Sequence, residues 1–222
     1  MIVSHRFVVI ATLFVTCLIT ANIIIAKQIS IGGLVLPAAI IIFPLSYIFG
    51  DILTEVYGYQ QARRVIWLGF LCNLVAIVAI WIGKILPPAP VFEAQAAYER
   101  ILGSTPRFLL ASFVAYLLGE FINSFVLAKM KVRTSGRWLW LRTIGSTLAG
   151  QGIDTVTVLT IAFWGVLPFP MLGTMILSHW LLKTVYEAAA TPFTYGIVGY
   201  LKRKEGVDVY DNETDFNPFR IS

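Results

Sequence analysis

Residues 7–26 read FVVIATLFVTCLITANIIIA, a run of 20 positions without a charged side chain. A helix of this length and apolarity matches the hydrocarbon thickness of a bilayer. Over the whole chain of 222 residues, 58% are hydrophobic and only 13% are charged, with a mean hydropathy of +0.79. Because a water-soluble surface cannot be built from this composition, we predict an all-α, polytopic membrane protein that contacts lipid.

Six apolar runs have transmembrane length, which predicts six transmembrane helices in one domain. The runs cover residues 7–26, 34–57, 65–86, 108–129, 143–167 and 171–201. The first run is interpreted as a span, since it is too long for a signal peptide and lacks a small-residue cleavage site. The predicted domains are a six-helix transmembrane domain, residues 1–204, and a cytoplasmic C-terminal tail, residues 205–222.

The basic residues predict the orientation, because Lys and Arg accumulate in cytoplasmic loops. One side of the predicted bundle has only Lys27, Lys84, Arg100 and Arg107. The other side has Arg6, Arg63, Arg64, Lys129, Lys131, Arg133, Arg137, Arg142, Lys202, Arg203, Lys204 and Arg220. Both termini are therefore expected in the cytoplasm. The basic residues that give the net charge of +5 are thus explained by membrane topology. No nucleic-acid partner is implied.

Two segments outside the spans carry structural expectations. Residues 92–102 have apolar side chains at helical spacing, which predicts a short interfacial helix. Residues 205–222 are polar and acidic with interspersed aromatic side chains, and they are too short to fold alone. We expect this tail either to fray or to dock on the cytoplasmic face.

Five carboxylates fall inside the predicted spans, namely Asp51, Glu55, Glu120, Asp154 and Glu187. Apart from lysines at span ends, only Lys183 accompanies them. A charge at the bilayer centre costs about 3 kcal/mol even on the lenient insertion scale, so each carboxylate needs a cation, a proton or a water-filled cavity. The excess of four negative charges indicates that some carboxylates are protonated or matched by a ligand.

Polar residues three and four positions apart share one face of a helix, and four predicted spans carry such faces. These faces join Tyr47 to Asp51 and Glu55, Glu120 to Asn123, Gln151 to Asp154, and His179 to Lys183 and Glu187. Asn22 adds a weaker polar position on the first span. Carboxylates and amides form hydrogen bonds in a plane, and aromatic rings stack. We therefore predict a site for a flat nitrogen heterocycle.

Several of these residues also have a structural interpretation. Lys183 and Glu187 can form an ion pair that packs helices together. Glu55 lies near the cytoplasmic end of its span and can reach lipid headgroups or the neighbouring Arg63 and Arg64. For His179, a role in packing is a better interpretation than a role as a proton carrier.

Other classes of function lack support in the sequence. An intramembrane enzyme is not indicated, because H-E-x-x-H, G-x-S-x-G, a clustered Cys and His set and a Gly-rich phosphate loop are all missing. We therefore predict that the protein is not an enzyme and uses no cofactor or metal. A structural or assembly role gives no reason to place five carboxylates in lipid.

The motif at residues 43–59, FPLSYIFGDILTEVYGY, with Ala62, Arg63 and Arg64 after it, resembles the queuosine precursor transporter family, also called the vitamin uptake transporter family. The resemblance continues through residues 154–156, 183–192 and 205–219, and so it covers almost the whole chain. It implies a bacterial inner-membrane importer of 7-cyano-7-deazaguanine or 7-aminomethyl-7-deazaguanine for queuosine modification of transfer RNA.

The resemblance also implies which residues contact the ligand, namely Asp51, Glu55, Asp154, Lys183 and Glu187. The family is similar in size and span number to the substrate-binding subunits of energy-coupling-factor vitamin transporters. A binding subunit that relies on a separate energising complex is therefore an alternative. The driving ion and a homodimeric assembly are left open.

Overall fold

The structure, a computed structural model, describes residues 4–31, 34–103 and 106–220. Within these ranges the chain is mostly helical, with one short β-hairpin. The elements are α1 (His5–Ile24), β1 (Gln28–Ile31), β2 (Leu34–Pro37), a 3₁₀-helix (Ala38–Ile41), α2 (Phe43–Tyr57), α3 (Tyr59–Ile85), α4 (Gln95–Leu102), α5 (Pro106–Arg133), α6 (Leu139–Phe163) and α7 (Phe169–Glu205).

The long helices confirm an α-helical polytopic membrane protein. By length and composition, four described segments can cross a bilayer: His5–Ile24, Ala38–Tyr57, Tyr59–Ile85 and Gln95–Arg133. The helices α6 and α7 coincide with the last two predicted spans and have 25 and 37 residues, but they carry many polar side chains. The short helix α4 falls within the segment predicted to form an interfacial helix.

The β-hairpin corrects the predicted start of the second span. β1 and β2 are antiparallel, with Gln28 opposite Pro37, and α2 begins only at Phe43. The predicted span, residues 34–57, therefore began too early: residues 34–37 form a strand, and the helical segment that can cross a bilayer is Ala38–Tyr57. Proline has no backbone N–H and disfavours helical conformation in the residue before it, whereas the first turn of a helix tolerates proline. Pro37 accordingly ends the strand, and Pro44 lies in the first turn of α2.

The helix α2 is at the centre of the bundle and contacts α1, α3, α5 and α7. Twelve of its 15 residues are buried, and they include Asp51, Thr54 and Glu55. Its apolar side chains, such as Ile52, pack with Phe14 of α1 in the main hydrophobic core. A helix surrounded on all sides can present polar groups to several neighbours at once, which places α2 at the heart of any internal site.

The helices α5 and α6 approach each other closely through glycine. A Cβ atom on Gly150 would lie 2.6 Å from the Asn123 Cβ and 2.8 Å from the Gly119 carbonyl oxygen. Small residues allow such close contact between membrane helices. Glycine at this crossing therefore brings Asn123 of α5 beside α6.

The first and last helices meet at one end of the bundle. The Ser4 hydroxyl accepts a hydrogen bond from the Phe7 N–H, at 3.0 Å, and so caps α1. The same hydroxyl donates to the Glu205 carboxylate at the end of α7, at 2.7 Å. The start of α1 and the end of α7 therefore lie on the same side of the bundle.

The C-terminal tail, residues 206–220 of the described chain, docks against the start of α3 instead of fraying. The Asp211 carboxylate accepts from the backbone N–H of Tyr59, at 3.0 Å. Arg63 donates to two tail carbonyl groups, at 2.6 and 3.0 Å, and Trp67 donates to a third, at 2.8 Å. The Phe216 ring packs against Tyr59, with 4.9 Å between ring centroids. Of the two alternatives for the tail, docking is the one observed.

Candidate ligand-binding site

Polar side chains from α2, α5, α6 and α7 lie together in the interior of the bundle. Two hydrogen bonds connect neighbouring helices: Asn123 donates to Asp51 at 2.7 Å, and Lys183 donates to Asp154 at 2.8 Å. The buried cluster consists of Tyr47, Asp51, Glu120, Asn123, Gln151, Asp154, Lys183 and Glu187. Apart from Lys183 and Asp154, each of these residues is at most 1% exposed. Eight of the eleven predicted site residues thus belong to one buried region.

Close packing around glycines positions part of this cluster. A Cβ atom on Gly119 would lie 2.6 Å from the Tyr47 hydroxyl and 2.9 Å from the Asp154 Cβ. Tyr47 of α2 and Asp154 of α6 therefore meet over a glycine of α5. The sequence places these three residues on separate spans, and only the helix crossing brings them together.

Hydrogen-bonding atoms without protein partners are concentrated here. Within the described part of the chain, neither carboxylate oxygen of Glu120 or Glu187 and neither amide atom of Gln151 has a partner. The same holds for Tyr47 Oη, Asp51 Oδ2, Asn123 Oδ1 and the hydroxyls of Thr147, Thr155 and Thr194. An unsatisfied buried polar group costs about 1 to 3 kcal/mol. So many in one region indicate groups arranged for a ligand or for water.

The cluster is strongly acidic. Of its four carboxyl groups, only Asp154 pairs with a cation among the described residues, and that cation is Lys183. The alternative ion pair between Lys183 and Glu187 was wrong, because the long Lys183 side chain reaches across to α6 instead of along its own helix. Its ammonium also lies 4.5 Å from the centre of the Phe43 ring. The three remaining carboxyls favour a ligand rich in N–H donors.

Glu55 belongs to a separate ion network at the end of α2. Its Oε1 accepts from Arg142 and from Lys202, each at 2.7 Å, and lies 3.8 Å from the Lys131 ammonium. Lys131 and Lys202 also bind Asp208 of the tail, at 2.5 and 2.9 Å. Burial by itself would raise the pKa of Asp208, but the hydrogen bonds and charges of the two lysines hold that pKa below its usual value.

This network corrects one interpretation of Glu55. Its partners are not Arg63 and Arg64, since Arg63 binds the tail instead. The buried residues Lys131 and Arg142 were missed as partners, because both were assigned to cytoplasmic ends and loops. The sequence did carry a signal for these partners. Lys131, Arg142 and Lys202 each lie close to the end of a predicted span, and Glu55 lies close to the same end of its own span.

Two predicted site residues lie outside the cluster. Asn22 donates to Asn73 of α3, at 3.2 Å, beside a cavity of about 50 Å³ lined mainly by α1, α3 and α5. The Nδ1 atom of His179 lies 2.9 Å from the Met175 carbonyl of its own helix and donates to it. The geometry therefore supports packing for His179 and a separate location for Asn22.

Sequence comparison agrees with the motif at residues 43–59. The family described as "Putative vitamin uptake transporter" matches residues 37–197, which is most of the chain. The chain belongs to this family. The matched region contains α2 to α6 and all eight residues of the buried cluster. The resemblance predicted from the sequence is therefore confirmed.

Two bacterial proteins are also similar to the chain. A "Probable queuosine precursor transporter" of Bacillus subtilis (strain 168) is 30% identical over 179 residues, covering 80% of this chain and 78% of that protein. A "Queuosine precursor transporter" of Escherichia coli (strain K12) is 29% identical over 145 residues, covering 65% of this chain and 63% of its own length. No solved structure has a significant match to this chain.

Proposed function

We propose that this protein imports the queuosine precursors 7-cyano-7-deazaguanine and 7-aminomethyl-7-deazaguanine across the bacterial inner membrane. Family membership and the names of the two bacterial relatives support this proposal. The observation that carries it is the buried, acidic cluster with many unpaired acceptor atoms. No such arrangement is needed to hold helices together, since buried polar groups normally pair with one another.

The chemistry of a 7-deazaguanine ring suits this cluster. The ring has several N–H donors and one carbonyl group in a single plane. Asp51 Oδ2 and the Glu187 carboxylate supply free acceptors, and Lys183 supplies a donor for the carbonyl. Each charge-assisted hydrogen bond contributes about 1.5 to 3 kcal/mol. The rings of Tyr47 and Phe43, both in α2, have centroids 5.6 Å apart and provide an aromatic surface on which the ligand ring can stack.

The proposed topology has six spans, formed by α1, α2, α3, α5, α6 and α7, with both termini in the cytoplasm. Ser4 and Glu205 meet at one end of the bundle, which is consistent with an even number of crossings. The basic residues concentrated at this end favour the cytoplasmic side. On this proposal residues 205–222 form a cytoplasmic tail. Alternating exposure of the cluster to the two sides would move the ligand inward.

Uptake of labelled precursors by cells that cannot synthesise them tests the proposal. We expect uptake with the native chain and loss of uptake with Asp51→Asn, which keeps the side-chain shape but removes the charge. Glu99→Gln is a matched control, because Glu99 is exposed on α4 and remote from the cluster. Membrane insertion of all three proteins is checked by immunoblotting.

Two results would count against autonomous import. A well-inserted native chain that takes up neither precursor contradicts the proposal. Uptake that appears only after an energising complex is supplied supports the binding-subunit alternative instead. The relatives are named transporters, which favours the first assignment.

A further inference from the structure

Among the residues that the structure describes, none forms a hydrogen bond or an ion pair with the carboxyl group of Glu120 of α5. Its side chain is 1% exposed, and neither carboxyl oxygen has a hydrogen-bond partner within the described ranges. One oxygen, Oε2, lies 3.1 Å from the position that a Cβ atom on Gly50 would occupy. The fully buried Phe14 ring lies 3.5 Å from the same position. The carboxyl group therefore packs against α2 at Gly50, and within the described ranges no ion pair joins it to a cation.

The ionisable groups that act on Glu120 electrostatically are acidic or phenolic. They are Asp154 of α6, Glu187 of α7, Asp51 and Tyr47 of α2, and Tyr116 of its own helix, which is itself next to Cys72 of α3. The Lys183 charge is taken up by Asp154. An ionised carboxylate in such a place has neither solvent nor a counterion, and proteins avoid this arrangement by protonation.

Glu120 is connected to the proposed ligand contacts. Asn123, one turn further along α5, donates to Asp51 at 2.7 Å, and Asp51 is within electrostatic range of Glu120. N–H donors of a ligand would compensate Asp51 and Glu187, while Glu120 would be left without compensation. A proton on Glu120 removes the last uncompensated charge. A bound ligand also displaces the water that an ionised Glu120 would need, which favours the protonated form in the filled cluster, and by linkage the proton then strengthens ligand binding by the same factor.

We propose that Glu120 is the proton-binding site of the transporter and that one proton enters with each ligand. The proposal rests on the transport function proposed above. In the cycle, Glu120 takes a proton while the cluster is open to the outside. It releases the proton after the cluster opens inward and the ligand leaves.

Purified protein in liposomes provides the test, with labelled 7-cyano-7-deazaguanine as the probe. This compound carries no basic aliphatic amine, so it does not accumulate by simple trapping as a protonated base. Each cycle moves one positive charge, so the membrane potential is held at zero with valinomycin and equal potassium on both sides. With one proton per ligand, a pH difference of about one unit, acid outside, is then expected to give about tenfold accumulation. Exchange of the probe between equal concentrations requires no net proton movement and reports ligand transport alone.

The variant Glu120→Gln carries a neutral side chain of the same shape. We expect it to lose the accumulation driven by the pH gradient and, because it can no longer take up or release a proton, to show probe exchange whose rate no longer changes with pH. Glu99→Gln, exposed on α4, should retain both activities. Retained exchange shows that the Gln variant is folded and binds the probe.

The outcomes separate the two proposals. If the native protein does not exchange either precursor, the transport proposal fails. If it exchanges the probe but ignores the pH gradient, proton coupling is overturned while transport stands. If coupling survives in Glu120→Gln, the assignment to Glu120 is overturned.

A measurement on the native protein tests the assignment of Glu120 even if the Glu120→Gln variant misfolds. A hydrophobic carbodiimide adds to protonated carboxyl groups in membranes, and peptide mass spectrometry locates the adduct. We expect modification at Glu120 that decreases as the pH rises. No adduct at Glu120 across the pH range, while other carboxyls react, would overturn the assignment.

Discussion

At the scale of single residues, Glu55 combines structural importance with deep burial. Its carboxylate neutralises Arg142, and it shares the neutralisation of Lys131 with Asp208. The side chains of Arg142 and Lys131 are each only 1% exposed. Removing one partner of a buried ion pair leaves an uncompensated charge, which typically costs about 3 to 5 kcal/mol. Glu55 is therefore expected to stabilise the end of α2 even if it never contacts the ligand.

The variant Glu55→Gln tests this role. We expect a marked loss of stability, measured as a lower midpoint of thermal unfolding in detergent, because the buried Arg142 and Lys131 lose the negative charge that neutralises them. Asp215→Asn is the control, since Asp215 pairs with Arg220 at the surface, where ion pairs contribute little. Equal midpoints for native and Glu55→Gln would contradict the structural role.

At the scale of helices, the crossing of α5 and α6 determines whether the cluster can form. We expect Gly150→Ala to force these helices apart, because its Cβ would lie 2.6 Å from the Asn123 Cβ. Overpacking of this kind costs about 1 to 3 kcal/mol, and ligand binding should weaken with it. The measurements are thermal unfolding and equilibrium binding of labelled precursor.

Gly196→Ala of α7 is the matched control for that substitution. Nothing lies within 4 Å of the Cβ position at Gly196. Alanine is favoured over glycine in a helix interior by up to about 1 kcal/mol, so this variant should be as stable as native or slightly more stable. The same loss of binding in both variants would show that the crossing is not the cause.

The docked tail is the second element with a testable property, and it depends on pH. The lysines hold the pKa of Asp208 below its usual value, so this contact stabilises docking above the ordinary aspartate pKa. This contribution to docking is lost as the pH falls through the lowered, folded-state pKa, which places the loss below about pH 4. Hydrogen exchange of the tail amides across this range measures it. In Asp208→Asn, the acid-dependent change should be reduced, and an unchanged profile would contradict the assignment.

At the scale of the whole molecule, the arrangement of the ends predicts the topology. Ser4 lies beside Glu205, so reporters fused to the two termini should report the same side of the membrane. With most basic residues at this end, that side is expected to be the cytoplasm. A phosphatase that is active only outside and a fluorescent protein that folds only inside distinguish the two sides. Opposite locations for the two termini would contradict an even number of spans.

The sequence by itself determined that the chain lies in lipid, that its fold is α-helical and which family it belongs to. Long uncharged runs such as residues 7–26 are local signals, since helix length and hydropathy do not depend on distant contacts. The intramembrane carboxylates were visible for the same reason: each lies within an apolar run, and its cost there follows from position alone. The motif at residues 43–59, which indicated the family, lies inside the matched region, residues 37–197.

Only the tertiary structure decided the partners of the buried charges. Lys183 pairs with Asp154 of α6 and not with its own helical neighbour Glu187, and Glu55 recruits Arg142 from another helix. Such pairs depend on how each helix is rotated and how closely its neighbours approach. Glycines at the crossings control that approach by allowing backbone contact. Hydropathy identifies the helices, whereas packing across their interfaces determines which polar groups meet.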